Sequence, residues 1–170
     1  MSGATTPVPV TMRHRLEPED EARADFYALR SRLFADAAGD EYTALFLGVG
    51  KSEINLHGSH WLTGFMMEKP LVEVRDALAG LGLARRPEVI QREDHLAALL
   101  ETMRILVAGN PERKPVPIAV QRAFFERHIA PWVFLCCAAI RANAVANYYI
   151  RVAQFAQSYL ALERDSFAID

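Results

Sequence analysis

The sequence contains little cysteine and little net charge. Its 170 residues include two cysteines, Cys136 and Cys137, and carry a formal net charge of −2. Adjacent cysteines rarely have the Cα separation and direction that a disulfide needs, so we expect two buried free thiols and a reducing compartment. The nearly balanced charge argues against the basic face of a nucleic-acid-binding protein, so we expect no nucleic-acid partner.

Long apolar runs are lacking as well. Residues 1–20 have no apolar core of the kind found in a signal peptide. The apolar run from Ile129 to Ile140 is too short to cross a bilayer as a helix. We therefore expect a cytoplasmic protein without integral membrane association.

Alternating strand patterns and hairpin signals are also missing, and apolar residues recur at helical spacing along most of the chain. Hydrophobic residues make up 51% of the sequence, which is enough for a packed core. We predict a flexible tail over residues 1–16. Residues 17–170 are predicted to form a single all-α domain, a helical bundle.

Individual helices can be predicted from their start signals and apolar stripes. Pro18 and the acidic residues after it predict the start of the first helix, whose inward face we assign to Phe26, Leu29 and Leu33. A long helix is predicted from Glu93 to Ala108. We also predict a buried helix, apolar nearly all round, at Trp132–Ile140, and core positions for Phe124, Phe125, Tyr148 and Tyr149.

The stretch Gly48-Val49-Gly50-Lys51-Ser52 ends like a phosphate-binding loop. That motif needs an earlier glycine at the position that Leu45 occupies here. It also needs a strand before it and a helix after it, whereas this stretch follows an amphipathic helix. We predict a helix end that leads into a loop, and we keep a nucleotide-binding protein that uses Lys51 and Ser52 as an alternative.

Reactive residue types do not form a recognisable catalytic or metal-binding set. His57 and His60 are spaced like two metal ligands, but Gly58 weakens a helix there and no third ligand is evident. Ser59 is not surrounded by the strand–turn–helix that exposes a nucleophilic serine. We therefore predict a protein that is not an enzyme, with no catalytic residues, no metal and no cofactor.

The triplet Glu93-Asp94-His95 has two interpretations. Acidic residues stabilise the positive end of a helix dipole, so the triplet can simply begin the long helix. Alternatively, the two carboxylates face a pocket and attract a cationic ligand.

Six segments follow one another in a recognisable order. They are DEYTALFLGVG at 40–50, HGSHWLTGF at 57–65, EKPLVEVRDALAGLGL at 68–83, EDHLAALLETM at 93–103, FFERHIAPW at 124–132 and YYIRVAQFAQSYLALE at 148–163. Their order and spacing resemble those of the TorD/DmsD/NarJ family of cytoplasmic chaperones for molybdenum-cofactor oxidoreductases. The resemblance covers about residues 22–163 and implies a TorD-like helical fold.

The resemblance also implies a site for a client's N-terminal signal peptide, around the turn at 57–62 and the Asp94-His95 pair. A twin-arginine signal peptide requires an acidic mouth beside an exposed apolar groove. Four acids can supply the mouth, Glu53, Glu68, Glu93 and Asp94, and we assign Trp61 as the main anchor of the groove. For Leu45 and Phe46 a core position is the alternative. The implied peptide-binding residues are Leu45, Phe46, Gly50, Ser59, His60, Trp61, Phe65, Glu93, Asp94 and His95.

The sequence departs from the family pattern in its N-terminal half. Val49 replaces a proline, and only Ala35 to Gly39 lie between the first helix and the Glu-Tyr segment, where the family has additional helical sequence. A shortened half leaves apolar surface that a second copy can cover. A domain-swapped homodimer is therefore a hypothesis.

The leading hypothesis for function is a chaperone that binds the apo catalytic subunit of a molybdoenzyme. It would shield the twin-arginine signal peptide of that subunit and delay export until the cofactor has been inserted. A helical scaffold that kept the fold and lost peptide binding is a further alternative.

Overall fold

The computed structural model describes residues 16–35, 39–48 and 52–169, so the predicted tail lies almost wholly outside the described residues. The described residues form an all-α single domain, which confirms the predicted fold class. A π-helical turn, Thr43–Leu47, follows the second of eight α-helices. The helices are α1 Pro18–Ala35, α2 Asp40–Tyr42, α3 Gly58–Thr63, α4 Lys69–Gly80, α5 Leu96–Ala108, α6 Ile118–His128, α7 Ala130–Ala142 and α8 Tyr148–Ser166.

Helix α5 lies at the centre of the core. It packs most extensively against α1 and also contacts α6, while α7 packs against α8 and α3. The contacts follow from its apolar sequence, because residues on successive turns of one face are buried together. The buried residues of α5 include Leu96, Leu99, Leu100, Met103, Leu106 and Val107.

Helix α1 begins at Pro18 as predicted, with Glu19, Asp20 and Glu21 in its first turn. Its inward face was predicted wrongly at two of three positions. Phe26 and Leu29 are exposed, whereas Leu33 is half-buried against the core. The buried residues of the helix include Ala24, Tyr27, Arg30 and Phe34.

The reason for the rotated face is a contact from the other end of the chain. The hydroxyl of Tyr27 donates a hydrogen bond of 3.1 Å to the buried carboxylate of Glu163 on α8. Turning Tyr27 inward places Phe26 and Leu29 at the surface, because neighbouring helix positions are separated by about 100°.

The segment from Asp40 forms one short α-helix, Asp40–Tyr42, and then the π-helical turn. The amide of Gly48 donates to the carbonyl of Thr43 at 2.8 Å, which widens the turn. The consecutive residues Leu45 and Phe46 are both buried in this π-helical turn. The carboxylate of Glu41 accepts hydrogen bonds from three amides at the start of α8 and so ties α2 to that helix.

Helix α7 is less uniformly buried than predicted. Trp132, Cys136 and Cys137 are fully buried, whereas Leu135 faces solvent. Both cysteines are free thiols, as predicted, and burial raises the pKa of Cys137 to about 12. Among the C-terminal aromatic residues, Tyr148 is exposed rather than buried, which corrects its predicted core position.

No single helix of the described ranges has the length and hydropathy to cross a bilayer. Helices α6 and α7 reach that length and composition only as a pair, and the pair is bent by 55°.

Candidate functional site

The loop before α3 pairs with the turn before α5. The amide of Gly58 donates to the carbonyl of Asp94 at 2.9 Å, and the amide of Leu96 donates to the carbonyl of Leu56 at 2.8 Å. His57 and His95 therefore face each other across a short antiparallel bridge. This pairing brings the 57–65 segment and the Asp94-His95 pair together.

A buried carboxylate joins the two segments through side chains as well. Asp94, which is 1% exposed, accepts hydrogen bonds on Oδ2 from the hydroxyl of Ser59 at 2.6 Å and from its amide at 3.0 Å. The amide belongs to the first turn of α3, where backbone donors lack helical partners. Asp94 therefore caps α3 and does not begin α5, which starts at Leu96 and not at Glu93 as predicted.

His95 takes the capping position of α5. Its Nδ1 accepts a hydrogen bond of 3.2 Å from the amide of Ala97, which requires this nitrogen to be unprotonated. The ring of His57 lies 4.9 Å away in a T-shaped contact. Burial, together with the charge that His57 can carry, lowers the pKa of His95 to about 3, so His95 is neutral near pH 7.

The short helix α3 is positioned by two tryptophans, Trp132 of α7 and its own Trp61. A Cβ added to Gly58 would lie 3.0 Å from Nε1 of Trp132, which is tighter than ordinary van der Waals contact, so a larger residue here would push the indole aside. Trp61 is half-buried against the core, and its Nε1 donates to the carbonyl of Asn55 at 2.7 Å. The side-chain amide of Asn55 in turn contacts Sδ of Met66 at 3.2 Å. These contacts fix the position of residues 58–66.

The space beneath α3 is too small for a peptide side chain. A cavity of about 20 Å³ lies there, lined by residues that include Gly58, Asp94 and Trp132. This volume matches a single water-sized molecule. Any larger ligand of this region must therefore contact the outer surface of α3 and of the loop that follows it.

The comparison with known proteins identifies the family of the chain. Residues 17–138, from α1 to most of α7, match the family described as nitrate reductase delta subunit. The chain belongs to this family. The perchlorate reductase assembly chaperone protein of Dechloromonas aromatica (strain RCB) is 23% identical over 164 residues, which cover 89% of this chain and 73% of that protein.

Membership of the delta subunit family confirms the resemblance read from the sequence. The family is one of assembly chaperones for molybdoenzymes, not of catalysts, so this member is an assembly chaperone and not an enzyme. In the described part of the chain, no group of three or more histidine, cysteine, aspartate or glutamate residues is arranged to hold a metal ion.

The residues predicted for peptide binding differ greatly in exposure. Gly50 lies outside the described residues, as does Lys51 of the nucleotide-binding alternative. Ser52 is described, and the chain after it is irregular up to α3, not helical as a phosphate loop requires. Of the other predicted residues, Leu45, Phe46, Ser59, Asp94 and His95 are buried, His60, Trp61 and Glu93 are half-buried, and Phe65 is exposed.

Two of the carboxylates predicted for the acidic mouth, Glu93 and Asp94, are paired with arginines or buried. Glu93 accepts hydrogen bonds from Arg75 at 3.1 Å and Arg85 at 3.4 Å. The pKa of Glu93 is lowered overall. Partial burial raises it, but a backbone hydrogen bond and the two arginines lower it by more. Asp94 is inaccessible beneath α3, which leaves Glu53 and Glu68 as the exposed acids of the predicted set.

The structure adds apolar residues that sequence reasoning did not assign to the site. Leu62, Met67 and Val72 are exposed close in sequence to Phe65, and Met67 has a positive φ of 62°. We call Leu62, Phe65, Met67 and Val72 the α3–α4 surface. The run WLTGFMM at 61–67 was a usable signal, because large apolar residues on both sides of a glycine turn cannot all face inward.

We predict that His95 makes the chaperone less stable in acid. The unfolded chain binds a proton on this histidine below about pH 6.5, whereas native His95 stays neutral down to about pH 3. Stability is therefore lost as the pH falls through this window, by about 2 kcal/mol between pH 6.5 and 5. Urea unfolding at the two pH values measures the loss.

The matched variant is His95→Asn, because asparagine also accepts the amide of Ala97 but does not titrate. Its stability should fall less between pH 6.5 and 5 than that of the wild type. An equal fall in both proteins would contradict the assignment to His95.

Proposed function

We propose that this chaperone binds the N-terminal signal region of an apo molybdoenzyme subunit on the α3–α4 surface and holds it until cofactor insertion. The observation that carries the proposal is an exposed apolar surface on a segment that is firmly attached to the core. Phe65 is 69% exposed, yet the neighbouring Ser59 and Trp61 are fixed by Asp94 and Asn55. A preorganised apolar surface binds an apolar helix at low entropic cost.

Charge supports the same surface for a twin-arginine signal. Glu68 directly follows Met67 and is exposed, so a carboxylate stands beside the apolar side chains. The paired arginines of the peptide would contact Glu68, while the apolar segment behind them covers Leu62 and Phe65. The half-buried Trp61 would contribute its outer edge, and its role as the main anchor stays a prediction.

The family relative supports the client class. The Dechloromonas aromatica relative is named as an assembly chaperone of perchlorate reductase, and we extend to this chain the general role of holding an immature reductase subunit. A homodimer and a cytoplasmic location remain predictions of the sequence.

Replacing Phe65 with serine should weaken peptide binding about tenfold or more, since an aromatic residue at the centre of an interface contributes about 2 kcal/mol. The probe is a labelled synthetic peptide with paired arginines before an apolar helix-prone segment, and fluorescence anisotropy measures its dissociation constant. Stability should hardly change, because Phe65 is exposed.

Ile90→Ser is the matched control, since Ile90 is also exposed but lies in the α4–α5 loop. Its affinity for the probe should equal that of the wild type. Wild-type affinity in Phe65→Ser, or the same loss in both variants, would refute the α3–α4 surface as the binding site.

A further inference from the structure

Arg30 of α1 is buried against α8, and none of the described acids pairs with it. The guanidinium of Arg30 is fully buried, with its carbon 3.9 Å from the ring centre of Tyr159, 4.4 Å from that of Phe155 and 5.1 Å from that of Phe26. Contacts with aromatic faces offset part of the cost of burying a cation. They do not replace the hydrogen bonds that its N–H groups would make in water.

The hydrogen-bonding capacity of Arg30 is only partly used. Nη1 donates to the carbonyl of Phe26 at 2.9 Å, while Nε and Nη2 have no partner among the described residues. These two nitrogens form one edge of the guanidinium, and their parallel N–H bonds match the two oxygens of a carboxylate. The free edge of Arg30 therefore has the geometry of a carboxylate receptor.

No acid of the neighbouring helices is available for this edge. The buried acid of the region, Glu163, is bound by Arg23 at 2.6 Å and by the hydroxyl of Tyr27 at 3.1 Å. An unpaired buried charge costs stability. A partner that brings a carboxylate would gain a strong, desolvated ion pair.

The side chains over Arg30 reach the protein surface. Phe26 is 37% exposed, Leu29 46% and Phe155 41%. Phe26 contacts both Phe155 and Tyr159 through ring faces, with centroids 5.8 and 4.8 Å apart. We call Phe26, Leu29 and Phe155 the α1–α8 patch. It is an apolar surface that covers a buried cation.

We propose that the α1–α8 patch binds an acidic side chain flanked by apolar residues on the client polypeptide, with its carboxylate on Nε and Nη2 of Arg30. The patch lies on different helices from the α3–α4 surface, so it is a second contact site of the chaperone. The client assignment rests on the proposed function.

The occupant follows from charge and composition. A cation beneath an apolar rim is complementary to an acid with apolar neighbours, and not to the paired arginines of a signal peptide. Residues 1–15 of this chain contain no aspartate or glutamate, so this segment cannot supply the carboxylate. An acidic residue with apolar neighbours in the mature domain of the client has the matching chemistry.

The test uses two small probes that differ only in charge, 3-phenylpropionate and its neutral amide. The Nε–H signal of Arg30 in ¹⁵N–¹H spectra should move downfield and saturate with the carboxylate, and hardly move with the amide. A labelled peptide, acetyl-Lys-Leu-Phe-Glu-Leu-Lys-amide, should bind at least tenfold more tightly than its Gln twin. Equal shifts with both small probes, or equal affinities of the two peptides, would overturn the proposal.

Arg30→Met is the matched variant, because methionine fills the same space without a charge and such replacements are commonly tolerated. It should lose the preference for the Glu peptide and keep wild-type affinity for the twin-arginine probe. Phe65→Ser should show the opposite pattern, so the two sites can fail independently. Dimerisation that is lost in Arg30→Met would overturn the client assignment in favour of a second copy.

Discussion

Replacing Glu163 with alanine is expected to lower the free energy of unfolding by about 3 kcal/mol or more, because it removes the buried carboxylate that pairs with the part-buried Arg23 and leaves the buried hydroxyl of Tyr27 without its acceptor. The carboxylate of Glu163 accepts from Nη2 of Arg23 at 2.6 Å, from Nε of Arg23 at 3.2 Å and from the hydroxyl of Tyr27 at 3.1 Å. These bonds join α1 to α8 across the whole length of the chain. Urea unfolding followed by circular dichroism measures the loss.

Asp165→Ala supplies the matched control. Asp165 lies two residues further along α8, is exposed, and pairs with its neighbour Arg164 at 3.1 Å. A surface ion pair contributes at most about 1 kcal/mol, so this variant should unfold almost like the wild type. The explanation fails if the two variants lose equal stability.

A comparison of the two possible inward faces of α1 shows why the sequence prediction chose the wrong one. Phe26, Leu29 and Leu33 are spaced like an apolar stripe, and Tyr27, Arg30 and Phe34 have the same spacing. A rule that counts apolar residues rejects the second stripe because it contains an arginine. The choice between the two depends on Glu163 and on the aromatic residues of α8, which are distant in sequence.

The segments that form the candidate site could be predicted from the sequence, but the hydrogen-bond partner of Asp94 could not. The order of the motifs indicated that the 57–65 segment and the Asp94-His95 pair belong to one site, and the backbone bridge brings them together. Sequence proximity suggested that Asp94 serves α5, which begins two residues later. Its carboxylate instead bonds to Ser59, which lies 35 residues earlier. Periodicity along one helix cannot reveal such a long-range cap.

Replacing Asp94 with alanine should cost about 3 kcal/mol, since it removes two charge-assisted hydrogen bonds and leaves the amide and hydroxyl of Ser59 buried without a partner. Ser59→Ala should cost less, because Asp94 still accepts the amide. The double variant should be more stable than the sum of the single losses predicts, by about 1 kcal/mol. Additive losses in urea unfolding would show that the two side chains are not coupled.

The Asp94→Asn variant tests whether Asp94 only positions α3 or contacts the signal peptide directly. Asparagine keeps an oxygen for Ser59, and its amide nitrogen can take the place of Oδ1, which has no partner among the described residues. Because Asp94 is buried beneath α3, we expect this variant to fold and to bind the twin-arginine probe within about twofold of the wild type, a difference of about 0.4 kcal/mol.

Asp94→Ala should lose affinity together with stability, since the first turn of α3 is released and the α3–α4 surface loses its preorganisation. Tenfold weaker binding in a stably folded Asp94→Asn protein would instead mean that the carboxylate touches the client's arginines. That result would require α3 to open on binding, because in the folded chaperone the carboxylate cannot be reached from solvent.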